Sequence, residues 1–188
     1  MNLDKISLRK KFLLQRKKRD VISNKFSFNL LFKLIKKHFK KRVINIAAYY
    51  PVDNEVNILS FFEKTTHKKF KILLPVIKSP KVMNFKSWAF NEPLYVNSFG
   101  ILEPKKTNKN LTPDVILVPL VAFDKKLNRI GYGRGYYDRK LRKLKKINKN
   151  VISVGLAYSF QRCPSIPTNK YDFKLDYIFT ERGIISSN

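Results

Sequence analysis

Residues 114–141 read DVILVPLVAFDKKLNRIGYGRGYYDRKL. Asp114 to Pro119 is a short, almost wholly apolar run, the pattern of a strand buried on both faces of a parallel sheet. From Tyr136 to Lys146 the spacing turns helical. Between the two lie Gly131, Gly133 and Gly135, three of the six glycines in a chain of 188 residues. Such clustering in a glycine-poor chain marks a loop where side chains would obstruct something or where φ must be positive. A strand, a glycine loop and a helix N-terminus together form a unit of an α/β sheet. Ligands bind outside the carboxyl ends of such strands, where backbone N–H groups and the helix dipole favour an anion.

The same alternation extends outward. Val43–Tyr49 (VINIAAY), Phe70–Val76 (FKILLPV), Lys81–Phe85, Val151–Ala157 (VISVGLA) and Leu175–Thr180 (LDYIFT) read as strands. Leu30, Leu31, Leu34, Ile35 and Phe39 recur at helical spacing with lysines largely outside the stripe, and Glu55–His67 returns to a helical period. Leu3–Arg19 fits a helix with a buried stripe that includes Leu3, Ile6 and Leu13. Lys86–Pro113 reads as irregular, and Leu120–Gly135 as the loop that carries the glycines. No internal repeat or linker interrupts the chain, so the expectation is one α/β domain over residues 1–188, with a mostly parallel central sheet flanked by helices in three layers.

Composition narrows the function. Forty Lys+Arg against 13 Asp+Glu leave a net charge of +27, while 44% hydrophobic and 13% aromatic residues are ample for a core. The charge invites a nucleic-acid reading, and a non-enzymatic RNA-binding protein is the competing class. However, the cations are 30 Lys and only 10 Arg, beside 16 Asn and 17 Ile, the bias of an A+T-rich genome. Selection for nucleic-acid contacts would favour Arg. The basic runs in the first 42 residues and between Arg139 and Lys149 read as solvated helix faces, and no specific nucleic-acid partner is expected. With one Cys and two His, disulfide frameworks and Cys/His metal sites are excluded. No apolar run approaches the ~20 residues of a spanning helix, and MNLDKISLRKKF lacks the apolar stretch of a signal peptide. A cytoplasmic protein with no membrane partner is expected.

The glycine string is neither a Walker A loop, lacking Lys-Ser/Thr after its last Gly, nor a dinucleotide-binding fingerprint. Arg129, Arg134 and Asp138 add what phosphate and a metal require: bidentate donors for phosphate oxygens and a hard carboxylate for Mg2+.

Taken as one unit, Val118–Leu141 resembles the signature of the 5-formyltetrahydrofolate cyclo-ligase (5,10-methenyltetrahydrofolate synthetase) family, approximately P-G-x-A-F-D-x-x-G-x-R-L-G-Y-G-x-G-Y-Y-D-R. Further matches follow in order: Lys5 and Arg9, Tyr50-Pro51 with Glu55, Phe99-Gly100-Ile101 with Glu103-Pro104, Val154-Gly155 with Ala157, Gln161, Pro164 and Pro167, Tyr171-Asp172 with Leu175-Asp176, and Thr180-Glu181. Leu120 and Leu127 depart from the signature, standing where Gly is usual, as does Tyr171 where His is common. Leu127 is expected to tighten or reshape the turn before Arg129.

The resemblance implies ATP- and Mg2+-dependent conversion of 5-formyltetrahydrofolate, free or polyglutamylated, to 5,10-methenyltetrahydrofolate by a monomer. It implies that Lys5, Arg9 and Arg129, Ile130, Gly131, Tyr132, Gly133, Arg134, Gly135, Tyr136 and Tyr137 bind ATP. Tyr50, Glu55 and Tyr132 to Tyr136 would meet the folate, Arg134 and Tyr136 would be catalytic, and Asp138 and Asp172 would hold Mg2+. Trp88 is open between stacking on the folate and a core or lid role, and Cys163 is read as an incidental thiol.

Overall fold

The computed structural model describes residues 4–19, 26–40, 43–65, 69–98, 100–105, 107 and 109–187. Helices α1 (Lys5–Lys18) and α2 (Asn29–His38) precede β1 (Ile44–Ala47), α3 (Leu59–Thr65), β2 (Phe70–Ser79) and β3 (Val82–Ser87). Two short strands, β4 (Tyr95–Val96) and β5 (Leu102–Glu103), lead to β6 (Val115–Pro119), and the hairpin β7 (Ala122–Phe123) and β8 (Arg129–Ile130) to α4 (Tyr136–Ile147). The chain then forms β9 (Ile152–Leu156), a 3-10 turn (Ser159–Gln161), β10 (Tyr177–Thr180) and β11 (Gly183–Ser186).

Seven strands make the central sheet in the order β11-β10-β9-β6-β1-β2-β3. The inner five are parallel, and an antiparallel strand closes each edge. Alternation along the strands divides the core. Ile44 and Ile46, Val115 and Leu117, and Ile152, Val154 and Leu156 join Phe28, Leu31, Phe32 and Ile35 of the α2 segment and Phe61 and Phe62 of α3 on one face. On the other, Ala47, Leu73, Ile116 and Val118 join Leu141 and Leu144 of α4. The expected three-layer α/β arrangement is therefore the one observed.

Gly155 lies in the middle of β9. A Cβ there would come within 2.6 Å of Ile178 Cδ1 and 2.7 Å of both Leu120 Cδ2 and Leu175 Cδ1. Leu120, which departs from the family signature, thus occupies the space that Gly155 leaves. Gly155→Ala should destabilise the fold by about 1–3 kcal/mol through overpacking, and Leu120→Ala in the same chain should return part of that loss, because the two sites share one space. Urea unfolding of the single and double variants measures both.

Several local expectations give way to tertiary context. The helix read over Glu55–His67 is shorter: α3 begins at Leu59, whose N–H is capped by Asn57 Oδ1 at 3.0 Å, and Glu55 is drawn instead into a turn with Val52. Residues 66–68, including His67, lie outside the described residues. The stripe expected on α1 is displaced: Leu8, Phe12 and Arg16 are buried, Ile6 is 72% exposed, and Leu3 lies outside the described residues. Leu8 and Phe12 pack on Val121, Ala122 and Ile130, so α1 rests on the β7–β8 hairpin rather than on the sheet. That hairpin and the β4–β5 pair fall within segments read as loop and as irregular; two-residue strands are too short to show a period. The β11 edge strand was also missed. Leu127 adopts a glycine-like backbone, with φ +65°. Its side chain is fully buried, and burial worth about 1.5–3 kcal/mol offsets the cost of the left-handed conformation.

Candidate active site

The chain leaves β1 toward β2 on one side and β6 toward β9 on the other, so the strand order reverses between β1 and β6. That switch point is where an open α/β sheet leaves a crevice at its carboxyl edge. A cleft of about 880 Å3 lies there. The segment after β1 brings Tyr50 and Glu55, the segment after β6 brings Arg129 to Asp138, α1 brings Lys5 and Arg9, and the stretch before β10 brings Asp172. Every one of the site residues singled out in the sequence lines this cleft. Trp88 does not. It is buried in the core, with its ring edge-on to Phe62 and its Nε1 donating to the Glu92 carbonyl at 2.9 Å, and it supports Tyr50 from behind.

Asp124 organises the hairpin that presents the glycine loop. Its carboxylate accepts the N–H groups of Lys126, Asn128 and Ile166 and the amide of Asn128, which fixes the turn between β7 and β8. Beyond β8, Gly133 and Gly135 have φ of +98° and +64°, in the region where glycine carries no Cβ penalty. Gly135 is also the residue before α4. The N–H groups opening α4 therefore face the end of the loop, the arrangement that suits an anion. At Gly131 a Cβ would meet nothing within 4 Å, so its absence keeps the cleft open rather than relieving a clash with protein.

Helix α1 is tied to the cleft by three cations on one face, spaced by four and seven residues. Lys5 pairs with Asp172. Arg9 Nε donates to the Gly131 carbonyl at 2.8 Å, and its guanidinium lies beside Gly133. Arg16, which is buried, donates to the Tyr132 hydroxyl at 2.6 Å. Apart from Lys5 and Arg9, the sequence reading places the basic residues of α1 in solvent; the burial of Arg16 corrects that. Its helical register with Leu8 and Phe12 was the available signal.

Arg129 is buried and bridges two segments. Nη2 lies 3.0 Å from Asp138 Oδ1, and Nη1 donates to the Phe173 carbonyl at 2.9 Å. Asp138 Oδ1 also accepts the Phe173 N–H at 3.0 Å. Asp172 Oδ2 accepts the Asn169 N–H at 2.6 Å as well as Lys5. The bonds just described fall on Oδ1 of Asp138 and Oδ2 of Asp172, and among the described residues no cluster of three or more His, Cys, Asp or Glu forms a ready-made metal cage. Two carboxylates on one cleft fit Mg2+, which is commonly held by one or two carboxylates with substrate phosphates and water.

The remaining residues complete the lining of the cleft. Glu55 is 7% exposed; burial raises its carboxyl to about 7, against the lowering effects of the Val52 N–H and the Tyr132 hydroxyl. Tyr132 donates to Glu55 Oε1 at 2.8 Å, and burial holds the phenol well above its ordinary range. Tyr136 points its hydroxyl to the Ser79 carbonyl at 3.4 Å with the Arg139 guanidinium over its ring. Arg134 lies on the exposed part of the loop, and its carbonyl accepts from Arg139 at 2.9 Å. Glu103, Arg139 and Arg142 also line the cleft although the sequence reading assigned them no role. Glu103 is buried and accepts the Ile77 N–H and the Asn97 amide, which ties the β5 segment to β2. Cys163 is buried beneath α1, and burial pushes its thiol up to about 11.

Fold and cleft together define an α/β protein with a small-molecule site at the carboxyl ends of its strands, roofed by an N-terminal helix. Residues 2–181 match the model of the 5-formyltetrahydrofolate cyclo-ligase family. A 5-formyltetrahydrofolate cyclo-ligase of Haemophilus influenzae is 36% identical over 142 residues, covering 72% of this chain and 75% of that protein. One of Mycoplasma genitalium is 32% identical over 184 residues, covering 94% and 97%. The solved structure of Aquifex aeolicus 5,10-methenyltetrahydrofolate synthetase superposes with a TM-score of 0.75 at 30% identity, covering 97% of this chain and 92% of that one. The chain belongs to the 5-formyltetrahydrofolate cyclo-ligase family and is an enzyme of that family. Among the described residues, no helix is long and apolar enough to cross a membrane.

Proposed function

We propose that this protein converts 5-formyltetrahydrofolate to 5,10-methenyltetrahydrofolate with consumption of ATP, releasing ADP and phosphate. The observation that carries the reading is the convergence of the family's motif residues from four separate segments on one cleft at the switch point of the sheet.

The formyl oxygen is a poor leaving group. In the proposed reaction it attacks the γ-phosphorus of ATP, forming an O–P bond as the bond to ADP breaks. N10 then attacks the formyl carbon, the C–O bond breaks with departure of phosphate, and the N10 proton is lost to solvent. Positioning and charge neutralisation are what such a transfer needs from a protein. Lys5, Arg9, Arg129 and the segment Ile130 to Tyr137 would hold ATP, with the N–H groups at the start of α4 directed at its phosphates. Tyr50, Glu55 and Tyr132 to Tyr136 would bind the folate, with a Glu55 carboxylate accepting N–H donors of the pterin. Arg134 and Tyr136 would act at the reacting atoms.

Asp138 and Asp172 would hold Mg2+ through their carboxylates. When bound, the ion would neutralise charge on the transferring phosphoryl oxygens. The cationic surroundings would also raise the encounter rate of two polyanionic substrates, including a polyglutamylated folate. A single-domain monomer in the cytoplasm completes the reading.

Purified protein with Mg-ATP and 5-formyltetrahydrofolate is expected to generate the methenyl chromophore with one ADP per turnover. Folded protein that produces neither would overturn the proposal.

A further inference from the structure

Arg16 is 2% exposed, yet its only hydrogen bond among the described residues is the one to Tyr132, and Nη1 is buried without a partner. A buried cation so sparsely bonded is not explained by stability, since an apolar side chain of similar volume would serve the fold as well or better. Its charge is balanced across Tyr132. The Tyr132 oxygen accepts from Arg16, so its one proton is committed to Glu55 Oε1, and the Glu55 Oε2 accepts the Val52 N–H at 3.1 Å.

We propose that Arg16 is a positioning residue of the cleft: through Tyr132 it orients the Glu55 side chain and holds it as a carboxylate ready to accept donors from a ligand. The folate role of that carboxylate rests on the function proposed above. The link between Arg16 and Glu55 does not. Among the charges that act on Glu55, Arg16 is a cation that favours its ionised form. Asp53 in its own turn opposes ionisation. The neutral phenols Tyr49 after β1, Tyr132 in the loop, Tyr137 on α4 and Tyr158 after β9 also face it. Burial raises the Glu55 carboxyl, and Arg16 lowers it, so removing the cation moves the midpoint up and reduces the ionised fraction near neutrality.

The test follows the Glu55 carboxyl by carbon-13 NMR in wild type, Arg16→Met, Arg16→Lys and Tyr132→Phe, with KM for folate and for ATP measured across pH 6–9. In Arg16→Met the midpoint should rise by about one unit, so that KM for folate at pH 7 rises about fivefold and recovers at higher pH, while KM for ATP stays within twofold. Arg16→Lys, which keeps the charge, should return most of the shift. Tyr132→Phe should move the midpoint in the same direction and carries the test if Arg16→Met does not fold. An unmoved Glu55 midpoint in the folded variants overturns the proposal, as does an equal rise of both KM values. A midpoint that moves as expected in a protein without folate turnover would instead leave the Arg16 link standing and overturn the folate reading.

Discussion

Asp138→Asn is expected to lower turnover by about 100-fold or more while leaving a folded protein. The substitution keeps the oxygen that accepts the Phe173 N–H at 3.0 Å, so the bond between α4 and the segment before β10 can persist. What disappears is the negative charge, and with it both the pairing to Arg129 and the carboxylate proposed to hold Mg2+. Stability should fall by about 1.5–3 kcal/mol, the scale of a lost hydrogen bond to a charged group. Chromophore formation at saturating ATP, with Mg2+ raised tenfold, separates a lost ligand from a weakened fold. Turnover within threefold of wild type would remove Asp138 from the reacting centre.

Arg129→Leu is expected to have the larger effect on the fold, about 3–5 kcal/mol, because one buried guanidinium serves two partners. It holds Asp138 on α4 and the Phe173 carbonyl, and so fastens the β7–β8 hairpin to the segment that bears Asp172. Without it, Asp138 loses the cation paired with it and the Phe173 carbonyl loses its donor. Urea unfolding should show a lower midpoint, and turnover should be lost together with the fold. An Arg129→Leu chain as stable as wild type would mean that Arg129 serves ligand binding alone. The two substitutions form a useful pair: one removes charge while sparing structure, and the other removes the bridge.

The parallel sheet was legible because its central strands are short, mostly apolar runs, and Val115 to Val118 and Ile152 to Leu156 are buried on both faces. Helix α1 was legible as a helix, but its buried face was not. Ile6 is as apolar as Leu8, and only the position of the β7–β8 hairpin decides that Leu8, Phe12 and Arg16 turn inward. The short strands of that hairpin escaped notice for a related reason. Their pairing is set by Asp124, whose carboxylate gathers N–H groups from Lys126, Asn128 and the distant Ile166.

For the site, the scarce glycines located the loop, and the ordered motifs named its companions from Lys5 to Asp172. Residue type and spacing carried that much, because a left-handed turn or a close approach demands glycine wherever it occurs in the chain. The partnerships inside the cleft belong to the tertiary structure alone. Arg16, Tyr132 and Glu55 are separated by 116 and 77 residues along the chain, yet they form one hydrogen-bonded series. Lys5 meets Asp172 across 167 residues. Burial and ionisation depend on which groups the fold places side by side, and a carboxyl near 7 at Glu55 is a property of that assembled environment rather than of the glutamate itself.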